Sequence, residues 1–164
     1  MIDQALLECP RSFEEKQECL QKIAEECIEQ GSLDKAKEVC SAMDYIRVDT
    51  IGPRIVSEYI KLGLLDDAEI VANNLSSAEK DNCLLEIASV YFSRGLYDRA
   101  IDISDPVSYE AKQVLYFKIV DAYIQEDLIE KAEQVCSKVP SYCFSSLEKI
   151  IILRLQRLIF KKLM

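Results

Sequence analysis

Four phrases in this chain recur at a fixed spacing of 32 residues: GSLDKAKEVC from Gly31, GLLDDAEIVA from Gly63, GLYDRAIDIS from Gly95 and DLIEKAEQVC from Asp127. A period of this length without insertions requires one local structure to be built four times over, which selects an array of stacked supersecondary units. Further columns stay in phase. Ile23, Ile55, Ile87 and Ile119 coincide, as do Cys27, Tyr59, Tyr91 and Tyr123; an acidic column runs Asp34, Asp66, Asp98, Glu130, and a small-residue column Ala36, Ala68, Ala100, Ala132.

Spacing inside one unit identifies the elements. From Leu84 the apolar residues step to Ile87, Ala88 and Tyr91, the rhythm of a helix burying one stripe, and a second stripe runs Ala100, Ile103, Val107. Gly95 between them supplies a backbone able to end the first helix, and the aspartate that follows falls in the first turn of the second, where the helix dipole favours negative charge. Each unit therefore reads as a helix, a tight turn and a returning helix. The alanine column is small because two helices must cross closely there.

With Leu84, Ile87-Ala88, Tyr91, Gly95, Ala100, Ser104 and Val107 at their offsets, the unit resembles the tetratricopeptide repeat. The period is 32 where that family has 34, and its tryptophan column is filled by Leu20, Gly52, Leu84 and Tyr116. The resemblance implies an all-α fold, a right-handed superhelical array of antiparallel helix pairs (an α-solenoid). It divides a single domain into a half-repeat 1–13, repeats 14–45, 46–77, 78–109 and 110–141, and a C-terminal capping helix 142–164.

In the capping segment, Ile151, Ile152, Leu155 and Ile159 are expected to continue the buried stripe, with Ile150, Leu153 and Phe160 lying off it. Gly52 and Pro53 are expected in the first turn of a helix capped by Thr50 or Asp49. Pro106 should end the helix from about Tyr97 near Ser104, because proline restricts the residue before it.

Charge and cysteine usage narrow the function classes. With 29 acidic against 20 basic side chains the net charge is −9, which opposes nucleic acid binding. Residues 145–164 hold five basic residues against Glu148 alone, so the apolar, basic C-terminal segment is a candidate for self-association on an otherwise acidic chain. No stretch is long and apolar enough to cross a bilayer, and a soluble, cytoplasmic protein is expected. Seven cysteines without a C-x-x-C pair or any histidine argue against zinc. Cys19 and Cys83 share one repeat column and Cys40 and Cys136 another, as small core residues do. That usage predicts free thiols in a reducing compartment.

No nucleophile–base pair, phosphate loop or metal-binding helix motif is present, so the sequence predicts no catalysis, cofactor or metal. Function is then expected from surface. The resemblance implies that a peptide or protein partner lies along the concave face lined by the first helix of each unit. The lining offsets fall on Lys22, Arg54, Asn82, Leu85, Val114, Phe117, Lys118 and Asp121. The expected role is an interaction scaffold or adaptor. The alternative, also from resemblance, is a small acidic secretion chaperone, like those of type III translocators, holding an apolar client segment.

Overall fold

The computed structural model describes residues 12–138, 148, 150–153 and 156; residues 1–11 of the half-repeat 1–13 and most of the capping segment, with Cys9, Cys143, Leu155, Ile159 and Phe160, lie outside the described residues. Among the described residues all regular structure is helical. Long first helices, α1 (Phe13–Glu29), α3 (Tyr45–Leu62), α5 (Ser77–Ser93) and α7 (Tyr109–Gln125), alternate with short second helices, α2 (Leu33–Ser41), α4 (Leu65–Ala72), α6 (Tyr97–Ser104) and α8 (Ile129–Lys138). The chain divides into two compact units, Met1–Val90 and Tyr91–Met164. In the first, α1 packs on α2, α3 on α4, and α3 also on α1 and α2; in the second, α7 packs on α8 and α6.

The repeat columns are the core. Ala36, Ala68, Ala100 and Ala132 are fully buried, as are Ile55, Ile87 and Ile119, while Cys27, Tyr59, Tyr91 and Tyr123 are buried at the end of each first helix. Leu75 and Val107, both buried, belong to one column of the short links. Each second helix is about half the length of its first helix. An apolar link residue is needed where the second helix gives out.

One turn is built four times. Gly31, Gly63, Gly95 and Asp127 all take φ between 64° and 77°. The following amide of Ser32, Leu64, Leu96 or Leu128 donates to the carbonyl of Cys27, Tyr59, Tyr91 or Tyr123 at 2.8–3.0 Å, and the left-handed residue's own amide donates three residues back. This is the Schellman arrangement, in which an apolar residue after the left-handed position covers the residue five back. It accounts for the partly exposed leucines at 64, 96 and 128.

A second recurring device ties the long helices together. Gln17, buried, accepts the Asp44 amide at 2.8 Å, and 32 residues later Asp49 accepts the Ser76 amide at 2.8 Å. This corrects one expectation. Gly52 and Pro53 lie in the interior of α3, not its first turn, and neither Asp49 nor Thr50 caps it. The helix begins at Tyr45 because Asp44 accepts the Arg47 amide at 2.9 Å, while the Asp49 carboxylate is engaged at Ser76. Pro53 removes one internal bond, and Arg47, on Gln21 at 3.0 Å and Glu14 at 3.2 Å, holds the preceding turns against α1.

The stop before Pro106 is as expected: α6 ends at Ser104, whose buried hydroxyl donates to the Ala100 carbonyl at 2.6 Å. The C-terminal stripe is not. Ile150 is buried, whereas Ile151 and Ile152 are exposed, the reverse of the expected arrangement. Each residue turns a helix by about 100°, so a small change in where a helix starts brings a different side chain inward.

Candidate partner-binding face

The predicted lining residues occupy outward positions of the first helices. In the first unit Lys22 on α1, Arg54 on α3 and Asn82 on α5 are exposed, and Leu85 is half-buried. Arg54 is brought to Glu25 at 3.9 Å, and the Ser57 hydroxyl to Glu86 at 3.5 Å. Beside them Ile28, Pro53, Arg54, Ser57, Glu58 and Lys61 line an open groove of about 320 Å³. Polar pairs thus cover this face, and Leu85 is the one predicted apolar member in the unit. It is shielded rather than fully displayed.

In the second unit the four predicted residues share α7. Val114 is 66% exposed, Phe117 half-buried, Lys118 exposed and Asp121 half-buried. Their three- and four-residue spacing places them on one helix face. Leu115, Tyr116, Ile119 and Val120, interleaved with them, turn into the core. The face is an apolar patch of modest size flanked by one cation and one carboxylate.

Sequence reasoning missed a set of polar contacts at the turns. Tyr59 donates to Asp34 at 3.0 Å and Tyr123 to Asp98 at 2.6 Å, both across 25 residues. Lys131 bonds Asp98 at 2.6 Å and stands 5.4 Å over the Tyr123 ring, and Arg99 stands 5.4 Å over Tyr91. At the offset of Arg99 and Lys131 an earlier repeat carries Asp67 instead. There Lys37 supplies the cation, 3.1 Å from Asp67 and 5.7 Å from the Tyr59 ring centroid. The signal was available: tyrosine and acidic columns keep a constant 25-residue offset.

These contacts set the electrostatics. Burial, then the carboxylate partner, holds the phenols of Tyr59 and Tyr123 well above the usual range. The bonds from Lys131 and Tyr123 hold Asp98 below the usual carboxylate range. Lys138, bonded at 2.7 Å, does the same for Asp105. Around Asp98 and Tyr123 a cleft of about 350 Å³ carries Tyr97, whose ring meets Tyr123 edge-on at 5.3 Å and whose hydroxyl is bonded to Glu126.

Burial pushes the Cys40 and Cys83 thiols up to about 11, so they stay protonated near neutrality. Among the described residues no disulfide is formed, no group of three or more His, Cys, Asp or Glu side chains is placed to hold a metal, and no helix is long and apolar enough to cross a membrane. No family model, curated protein or solved structure matches this chain.

Proposed function

We propose that the chain is a non-catalytic interaction scaffold whose helix pairs follow one another as a tetratricopeptide-like solenoid and whose first helices present the partner-binding face. One observation carries this reading: Val114 is two-thirds exposed and adjoins half-buried Phe117 on the outward side of α7, while the inward side is fully committed to the core. Apolar side chains displayed beside Lys118 and Asp121 suit an amphipathic peptide or helix. Cysteines that serve as small core residues in shared repeat columns, Cys40 with Cys136 and Cys19 with Cys83, fit a reducing compartment such as the cytoplasm. The same patch supports the second reading, a dedicated chaperone for one apolar client segment. The two differ in whether a single apolar protein co-purifies in fixed stoichiometry.

The test is affinity purification of the full chain beside Val114→Glu and Leu85→Glu variants whose melting temperatures match the parent. Loss of a stoichiometric partner with Val114→Glu is the expected result. Retention of that partner by both variants, or catalytic turnover by the purified chain, overturns the proposal.

A further inference from the structure

The four-fold pattern is broken at Gly52, and the break leaves a cleft. In the column Leu20, Gly52, Leu84, Tyr116, only the second member lacks a side chain. Beside Gly52, within the first unit, lies an open cleft of about 410 Å³ whose walls include Cys40, Ser41, Met43, Val48, Val71 and Asn74. The second unit shows what the same place holds when the column residue is large.

There Tyr116 is fully buried, and its surroundings are specific. Its hydroxyl donates to Asp105 at 3.4 Å, Lys138 bonds that carboxylate at 2.7 Å, Lys112 stands 5.6 Å over the ring, and Ser104 lies beside the phenol. These four partners lie 64 residues, two periods, after Ser41, Asn74, Val48 and Cys40. All four of the earlier residues line the cleft. The repeat positions that surround a phenol in the second unit therefore line an open cleft in the first. The root of the missing side chain is filled, since a Cβ on Gly52 would collide with Leu75 Cδ2. The space beyond it stays open.

The substitutions in the wall define what it would take. Asp105 and Lys138 form an ion pair, whereas Ser41 and Asn74 offer only an uncharged hydroxyl and amide; Val48 replaces Lys112 with an apolar wall. Lys37, also in the lining, has its charge met by Asp67 at 3.1 Å and Asp34 at 3.7 Å. An anionic ligand thus gains no uncompensated cation, and an aromatic ring gains apolar contact on several sides. We propose that this cleft is a socket for an uncharged phenol ring, seated against Val48, Val71 and Met43 with its hydroxyl toward Ser41 and Asn74. The site uses side chains distinct from the first-helix face, so it stands or falls independently of the scaffold reading.

The test uses the full chain with methyl-labelled valine and methionine, titrated with p-cresol, with toluene, and with a blocked Ala-Tyr-Ala tripeptide while methyl resonances are followed. Saturable shifts confined to Met43, Val48 and Val71, at least threefold tighter for p-cresol than for toluene, are expected. Tighter binding of the tripeptide than of p-cresol assigns the ring to a protein partner's tyrosine, and the reverse assigns it to a small phenol. Either supports the socket. Val48→Trp, or Asn74→Trp at the exposed rim if the first variant folds poorly, should weaken binding at least tenfold; Ile70→Trp, equally bulky but on the exposed side of α4, should not. Absence of saturation, shifts spread over the surface, equal affinity for toluene, or binding that survives both filled variants overturns the proposal.

Discussion

Tyr123 on α7 donates its hydroxyl to Asp98 at the start of α6 across 2.6 Å, with the ring buried and the carboxylate at the surface. The bond joins two successive helix pairs at one end. A hydrogen bond to a charged acceptor contributes about 1.5–3 kcal/mol when secluded, and an exposed carboxylate reduces that. Tyr123→Phe should therefore lower stability by about 1 kcal/mol in urea unfolding with the m-value unchanged. A loss below a few tenths of a kcal/mol would show that the hydroxyl is equally well served by water.

Acid and alkaline limits should be set by the same clusters. Asp98 and Asp105 have folded pKa values below their ordinary 3.8, so the stability they add is present above that value and is lost as pH falls through the lower, folded one. Tyr59 and Tyr123 have folded values above their ordinary 10, so their contribution is whole below pH 10 and is lost as pH rises beyond it. Circular dichroism melts from pH 2 to 11 should show both limbs. Asp105→Asn should flatten the acid limb, and Tyr59→Phe the alkaline one.

The left-handed turn positions separate conformational cost from packing. Nothing lies within 4 Å of a Cβ placed on Gly95, and its φ is +73°, so Gly95→Ala should cost about 1 kcal/mol through backbone strain alone. Asp127 holds the same conformation with a side chain, at φ 64°.

Gly52 obeys a different constraint. It is helical, where alanine is ordinarily favoured over glycine by about 1 kcal/mol, but its Cβ would strike buried Leu75. Gly52→Ala should destabilise the parent protein by about 1–2 kcal/mol, in the range of overpacked cores. In a Leu75→Ala background the same substitution should stabilise. A double-mutant cycle with no coupling between the two positions would contradict this contact.

Buried thiols should be silent until the fold opens. With Cys40 and Cys83 at about 11, well under one in a hundred of either is thiolate at pH 8. Native protein treated with a disulfide reagent should leave both unlabelled, and labelling in urea should follow the unfolding transition. Fast labelling of Cys40 in native buffer would mean that the cleft beside Gly52 admits the reagent and thiolate forms there.

Much of the fold was legible because a repeat writes its core several times. The isoleucine and alanine columns, the turn glycines and the break before Pro106 follow from period and local backbone preference, which act within a few residues. The outward positions of Lys22, Arg54, Asn82, Val114 and Lys118 were legible for the same reason, being the complement of a buried stripe. The start of α3 was not, since whether Asp44 or Asp49 serves as cap depends on the Ser76 amide, 27 residues from Asp49. Nor was the burial of Ile150, which lies beyond the four repeat units whose columns set the register.

The sequence by itself determined the helix–turn–helix unit, its four-fold recurrence and the residues each helix buries, because periodicity and left-handed turn positions are local properties of the chain. Only the tertiary structure decided which side chains meet across units of sequence: Tyr123 with Asp98, Lys37 with Asp67, Leu75 over Gly52, and the residues that line the cleft beside Gly52. Those contacts depend on how far one helix slides along another, a distance set by packing and not written in the spacing of any single motif.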